Sequence, residues 1–209
     1  MITRLVRFAT LPALLVASTA GAQQQSRPTV ARVTPYVGYI TYGNFATGPL
    51  GTRVGNQPAP IFGVQVGLDV MPNVAIVGHL GYSDSNVEVG VPILGGLKIA
   101  DSRALLYDGG VQVRLPGLAS DRTAIVPYAE AGVGAIRYEV TAAGLSTKST
   151  NVAYNFGGGL DLQLNRAFGV RLMAKDYVGK FDFEEATGFG ISGSVAHNWV
   201  FGLGMNLGF

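Results

Sequence analysis

The sequence predicts an all-β fold: an eight-stranded antiparallel transmembrane up-and-down β-barrel with short periplasmic turns and longer extracellular loops. Three observations predict it. The chain opens with an export signal, its apolar residues recur at every second position in segments of about ten residues, and the connections alternate between short and long.

The export signal comes first. Arg4 and Arg7 form a positive start, residues 8–20 carry no charge, and Ala20-Gly21-Ala22 places small residues at −3 and −1 of a cleavage point before Gln23. The uncharged stretch is well short of the ~20 residues a spanning helix needs. Residues 1–22 are therefore expected to be a cleaved signal peptide, 23–31 a flexible N-terminal segment and 32–209 the barrel. Loss of Arg4 and Arg7 reduces 15 Lys+Arg to 13, matching 13 Asp+Glu. No basic field then remains to attract nucleic acid. The chain has no cysteine, which excludes disulfides, thiol catalysis, cysteine-ligated metal and a lipoprotein anchor. Thirty glycines and a positive mean hydropathy without one long apolar run suit a barrel better than a soluble domain.

The strands follow in order. The first is expected near residues 33–42. The second, 62–70, sets Phe62, Val64, Val66, Leu68 and Val70 on one face and Gly63, Gln65, Gly67 and Asp69 on the other. The third is expected near 74–83. The fourth, 107–115, separates Tyr107, Val111, Val113 and Leu115 from Asp108, Gln112 and Arg114. The fifth is placed near 125–138. The sixth, 154–164, opposes Tyr154, Phe156, Leu160, Leu162 and Leu164 to Asn155, Gly157, Gly159, Asp161 and Gln163. The seventh lies near 168–177. The last alternates Trp199, Phe201, Leu203, Met205, Leu207 and Phe209 with Asn198, Val200, Gly202, Gly204, Asn206 and Gly208. Ten residues at ~3.3 Å each, tilted by ~40°, rise about 25 Å, the height of an outer-membrane apolar band.

Short links at 71–73, 116–124 and 165–167 alternate with connections near 43–60, 84–103, 139–150 and 178–194, which are mostly longer and rich in Gly, Ser, Thr and charge. Eight strands then leave both termini on the periplasmic side. A soluble sandwich or lipocalin-like barrel would also alternate, but its polar face would carry many Lys and Glu. Here that face carries Gly, Asn, Gln and isolated charges.

Charges inside the strands test the assignment. Asp69, His79, Asp108, Arg114, Glu130, Asp161, Arg171 and Lys175 share the lumen parity; Arg137 and Asp176 take the lipid parity, late in upward strands. A lipid-facing cation costs ~2–4 kcal/mol at the midplane and little near the interface. Pairing of Leu164 with Phe168 across the turn at Arg166 sets Asp161 opposite Arg171, and the same logic around Pro72 sets Gln65 opposite His79. Near balance of sign favours a paired network filling a lumen that eight strands leave only side-chain wide.

These residues resemble the small outer-membrane β-barrel superfamily, the OmpA/OmpX/OmpW-like group, over the whole mature chain. The resemblance rests on three features: the terminal strand HNWVFGLGMNLGF, the glycine-rich stretch Pro127-Tyr128-Ala129-Glu130-Ala131-Gly132-Val133-Gly134, and the strand count with its loop asymmetry. It implies that Trp199, Phe201, Leu203, Met205, Leu207 and Phe209 are a C-terminal signal read by the barrel-assembly machinery. It also implies outer-membrane location and contact with lipid and lipopolysaccharide. The chain ends at Phe209, so no peptidoglycan-binding domain is expected after the barrel. A monomer is expected, with no nucleic-acid partner.

The pattern carries no catalytic motif. His197 is followed two residues later by Trp199 and departs from the His-x-Ser motif of lipid A deacylase-like barrels. His79 and Ser83 lie ~13 Å apart along a strand, too far for direct contact. Two histidines without cysteine argue against zinc, and Gly157-Gly158-Gly159 precedes no helix that could make a phosphate loop. No enzyme, cofactor or metal is expected. The aromatics Tyr154, Phe156, Phe168, Trp199 and Phe209 read as interfacial girdles, and the apolar tip at residues 89–94 reads as a hairpin or a partner-binding surface. Three functions stay open: a structural or interaction barrel, a narrow pore or OmpW-like route for small apolar solutes, and an outer-leaflet lipid hydrolase.

Overall fold

The computed structural model describes residues 31–47, 53–91, 95–119, 123–142, 145–165, 167–180 and 195–209. The predicted signal peptide and, up to residue 30, the predicted flexible segment lie outside these residues. Eleven strands are formed: β1 (Ala31–Thr41), β2 (Asn44–Thr47), β3 (Arg53–Asn56), β4 (Ala59–Met71), β5 (Val74–Val91), β6 (Gly95–Arg114), β7 (Leu118–Ala119), β8 (Ala124–Ala142), β9 (Leu145–Gln163), β10 (Phe168–Lys180) and β11 (Val195–Gly208). Eight of them close a ring in chain order, β1-β4-β5-β6-β8-β9-β10-β11, every pairing antiparallel. β1 pairs with β11, and Phe209 N–H donates to the Ala31 carbonyl at 3.0 Å, so the two ends of the chain seal the sheet. Closure removes the open edges that would leave backbone groups unpaired in lipid.

The wall follows the period-two pattern. Phe62 is 59% exposed, Leu172 53% and Phe201 49%, whereas the residues between them turn inward and are covered. A soluble shell would bury this set; in a bilayer it meets acyl chains.

Short turns gather at one end. Leu164 N–H and Asn165 N–H both donate to the Phe168 carbonyl, and Asn165 Oδ1 accepts from the Ala167 and Phe168 amides at 2.9 Å each. The side chain thus satisfies two amides of a tight turn. Asn165→Ala is expected to lower stability by about 1 kcal/mol in urea unfolding from lipid vesicles.

At the other end the structure corrects two expected loops. Most of residues 84–103 and 139–150 is not loop but the outer halves of the hairpins β5–β6 and β8–β9, which reach well past the apolar band. Cross-strand bonding continues there without apolar alternation, because the ladder satisfies the backbone whatever the side chains. Residues 92–94, part of the predicted apolar tip, lie outside the described residues. The 43–60 connection contains β2 and β3, and β3 extends the sheet along β5. Residues 181–194 of the last connection lie outside the described residues.

Candidate functional site

The lumen gathers the charged residues. The β9–β10 register sets Asp161 opposite Arg171, and β4–β5 sets Gln65 opposite His79. The β9–β10 register runs unbroken from its tight turn, whereas β4–β5 starts with Met71 opposite Val74 and shifts by one residue before Asp69 meets Ala75, which leaves Gln65 opposite His79. Arg171 grips Asp161 with two bonds, Nε to Oδ1 and Nη2 to Oδ2, each 2.7 Å. Its Nη1 donates to the Oε1 atoms of Gln65 and Gln112, and its guanidinium lies 4.3 Å from the Tyr128 ring centroid. Asn206 Nδ2 donates to Asp161 Oδ1 at 2.8 Å, and Thr34 Oγ1 donates to Asn206 Oδ1 at 2.7 Å. Arg171 thus touches side chains from β4, β6, β8 and β9 directly and, through Asp161 and Asn206, is linked to β11 and β1.

Gln65 links this group to the next through Nε2, which donates to Glu130 Oε2 at 2.8 Å. Lys175 Nζ lies 3.2 Å from Glu130 Oε1 and 2.9 Å from Asp108 Oδ1. Tyr177 Oη donates to Asp108 Oδ2 at 2.7 Å and sits 2.8 Å from His79 Nδ1, while the His79 ring stacks on Tyr36 at 5.0 Å. A second cluster lies toward the periplasmic end, where Arg114 pairs bidentately with Asp69 and Arg32 approaches the same carboxylate. All eight charged residues chosen on parity thus face inward, each against an opposite charge or a strong hydrogen-bonding partner. A count of charged residues does not include Gln65, Gln112, Thr34, Asn206, Tyr128 and Tyr177, nor does it reach Arg32 at the start of the first strand; parity already sets Gln65, Gln112 and Asn206 on the same face as the charges.

Burial is tight. Arg171 and Lys175 are each 1% exposed. A water-filled channel would leave its lining wet, and these side chains have none. Above the polar layer stands a second, apolar one built from Ile40, Ala59, Ile61, Ala104, Leu106, Ile136, Tyr138, Ala153, Tyr177 and Val200. The expected polar network therefore fills only part of the lumen. An apolar layer thus lies outward of the charges, with buried Ser85 and Ser102 paired beyond it.

The outer wall holds one departure. Arg137 is exposed on the outer face, as its parity predicts, but Asp176, on the same outward parity, is only 8% exposed. Register flanks it with Phe156 and Trp199, and His197 Nδ1 lies 2.7 Å from its Oδ2. Higher up, Asp84 pairs with Arg103 and Glu139 with Lys148 on exposed positions of the long hairpins. Trp199, Phe201, Leu203, Met205 and Phe209 stand exposed on the outer wall of β11, with Leu207 half-buried in the same row.

Among the described residues, His79 and Ser83 form no nucleophile–base pair inside the barrel. Ser83 Oγ donates to the Pro60 carbonyl at 2.8 Å and His79 is engaged with Tyr177 and Asp108, so the two are committed to different partners. Among the described residues no group of three or more His, Asp or Glu is placed to hold a metal. Gly157, Gly158 and Gly159 lie within β9. There, a Cβ on Gly159 would fall 1.9 Å from the Leu172 carbonyl oxygen and 2.9 Å from Tyr128 Oη, so the glycine admits the ring that supports Arg171.

A closed antiparallel ring with an apolar outer wall and a charged interior defines a membrane-spanning barrel of the outer-membrane type. Residues 9–209 match the outer membrane protein beta-barrel domain family, and the chain belongs to it. Among solved structures it is similar to the outer membrane protein OprG from Pseudomonas aeruginosa, with 14% identity, 86% of this chain and 96% of that one covered, and a TM-score of 0.59. Neisserial surface protein A is similar at 11% identity, with coverages of 86% and 97% and a TM-score of 0.58. The outer membrane protein AlkL shares 14% identity, with coverages of 92% and 96% and a TM-score of 0.55. At these identities the likeness concerns the fold. No curated relative matches the sequence at a significant level. The protein is an outer-membrane β-barrel.

Proposed function

We propose that this barrel is a structural or interaction protein: a sealed, monomeric cylinder that displays its long hairpins outside the cell and catalyses no reaction. One observation carries the reading. The lumen is filled by two stacked layers, and at both levels the inward side chains are almost wholly covered, from Arg171 and Lys175 below to Ile40, Ile61 and Leu106 above. Eight strands leave room for side chains or a passage, not both. The family membership supports contact with outer-membrane lipid and lipopolysaccharide, and the outward aromatic row of β11 supports its recognition by the barrel-assembly machinery. The refolded protein is expected to give no steady single-channel steps in planar bilayers. Stable, reproducible steps would defeat the sealed-barrel reading.

A second reading draws on the apolar outer layer. A small apolar solute could partition among Ile40, Ile61, Leu106 and Val200 where an ion could not, making the barrel a route for such solutes. Uptake of a small alkane into vesicles carrying the protein, without ion conductance, would favour this route over the purely structural role.

A further inference from the structure

The Lys, Arg, Asp and Glu side chains of the lumen network balance overall but not along the barrel axis. At the outer end of the network Lys175 faces two acids, Asp108 and Glu130. Below it Arg171 and Asp161 neutralise each other. At the periplasmic end two cations, Arg32 and Arg114, share one carboxylate, Asp69. Arg114 takes that carboxylate with both terminal nitrogens, while Arg32 Nη2 lies 3.9 Å from Asp69 Oδ2, beyond hydrogen-bond reach. Among the described residues the Arg32 guanidinium makes no hydrogen bond, which leaves a full fork of donors and an uncompensated positive charge at this mouth.

Solvent reaches this mouth where it does not reach the layer above. The side chains of Arg32, Arg114 and Asp69 keep 12%, 10% and 15% of their surface, against 2% and 1% for Arg171 and Asp161. Arg32 stands beside Gly67 in the β1–β4 register. Gly67 shares the inward parity of Gln65 and Asp69, and a Cβ there would meet only Val77 Cγ1, at 3.7 Å. Space is thus kept next to a guanidinium whose donors are unengaged. A largely covered cation without a matched anion is costly, and the planar fork of Arg suits two oxygens of one oxyanion.

We propose that the periplasmic mouth of the lumen binds a small oxyanion, held by the Arg32 fork beside Gly67 with Arg114 supplying a second positive charge. Chloride offers no second oxygen to the fork and is a poor substitute. The site faces the lumen and not the outer wall, so its ligand is a free anion rather than a lipid headgroup. Above it lie the covered Arg171–Asp161 pair and then the acid-rich level around Lys175, which repels an anion. Binding at the mouth needs no passage through the lumen.

Inorganic phosphate is the probe. The full chain is refolded into phosphatidylcholine vesicles with phosphate on both sides of the membrane and ionic strength held constant by chloride. Urea unfolding is followed by the emission of Trp199, the only tryptophan in the chain. A ligand that binds the folded barrel alone raises the midpoint with the logarithm of its concentration once half-saturation is passed, and that rise is the expected result. Equilibrium dialysis against radiolabelled phosphate should give one bound ion per barrel. In Arg32→Gln half-saturation should rise about tenfold, the loss of a charge-assisted fork. Gly67→Leu, which keeps every charge but fills the space beside Arg32, should weaken binding as well. Arg103→Gln removes an exposed cation of the long hairpins and should leave the response intact. Heat-modifiable gel mobility verifies folding of each variant; should Arg32→Gln fail to fold, Gly67→Leu against Arg103→Gln decides. No phosphate dependence, an unchanged response in Arg32→Gln, or an equal loss in Arg103→Gln would overturn the site.

Discussion

Arg171→Ala is expected to destabilise the barrel by roughly 3–5 kcal/mol, the cost of stranding a buried partner charge. Asp161 would keep only Asn206 as a side-chain donor among the contacts described, Gln65 and Gln112 would lose a shared one, and Tyr128 would lose its cation. Asp161→Ala should also be severe, for it leaves the guanidinium with two neutral acceptors in place of a carboxylate. Because each single change strands the other partner, the double variant should be less damaged than the two losses added, with a coupling on the order of 1–3 kcal/mol. Reversible urea unfolding in lipid vesicles measures all four corners of the cycle. Strict additivity would mean that the bidentate pair does not hold the lumen together.

The second large effect lies at Gly63. A Cβ there would fall 2.3 Å from Tyr36 Oη and 2.4 Å from the Leu80 carbonyl oxygen, so any side chain must displace both a buried ring and a neighbouring strand. Tyr36 is the ring that stacks on His79, and it joins the polar layer to the apolar one. Gly63→Val should cost about 3 kcal/mol, at the upper end for overpacking. Tyr36→Phe separates shape from chemistry. The Tyr36 hydroxyl has no hydrogen-bond partner, so its removal should change stability by less than about 1 kcal/mol. A large loss from Tyr36→Phe together with a mild Gly63→Val would reverse this account of the site.

Much of this architecture is legible in the sequence because a membrane wall imposes a strict rule at every second residue. Phe62 to Val70 and Trp199 to Phe209 declare their outward faces by alternation, and a tight turn converts parity into register, which is how Asp161 meets Arg171. The apolar upper layer was harder to read. In Ala104-Leu105-Leu106-Tyr107 and Tyr39-Ile40 adjacent residues are all apolar, so the pattern does not reveal that Leu106 and Ile40 point inward to a dry core. Alternation tells which face a residue takes, not whether that face is wet. The outer halves of the long hairpins are equally hidden, since strand beyond the membrane needs only cross-strand bonding and keeps no more than short stretches of alternation such as Val87, Val89 and Val91. The burial of Asp176 is hidden for a further reason: its parity is evident, but its neighbours Phe156, Trp199 and His197 come from other strands.

The orientation of the wall is tested most directly by single-cysteine spin labelling, which needs no background substitution because the chain has no cysteine. Labels at positions Leu172, Phe201, Leu203 and Met205 in vesicle-embedded protein should relax strongly with oxygen, which concentrates in hydrocarbon, and weakly with a water-soluble nickel chelate. Strong chelate relaxation at those four positions would place them in water and contradict a lipid-facing wall.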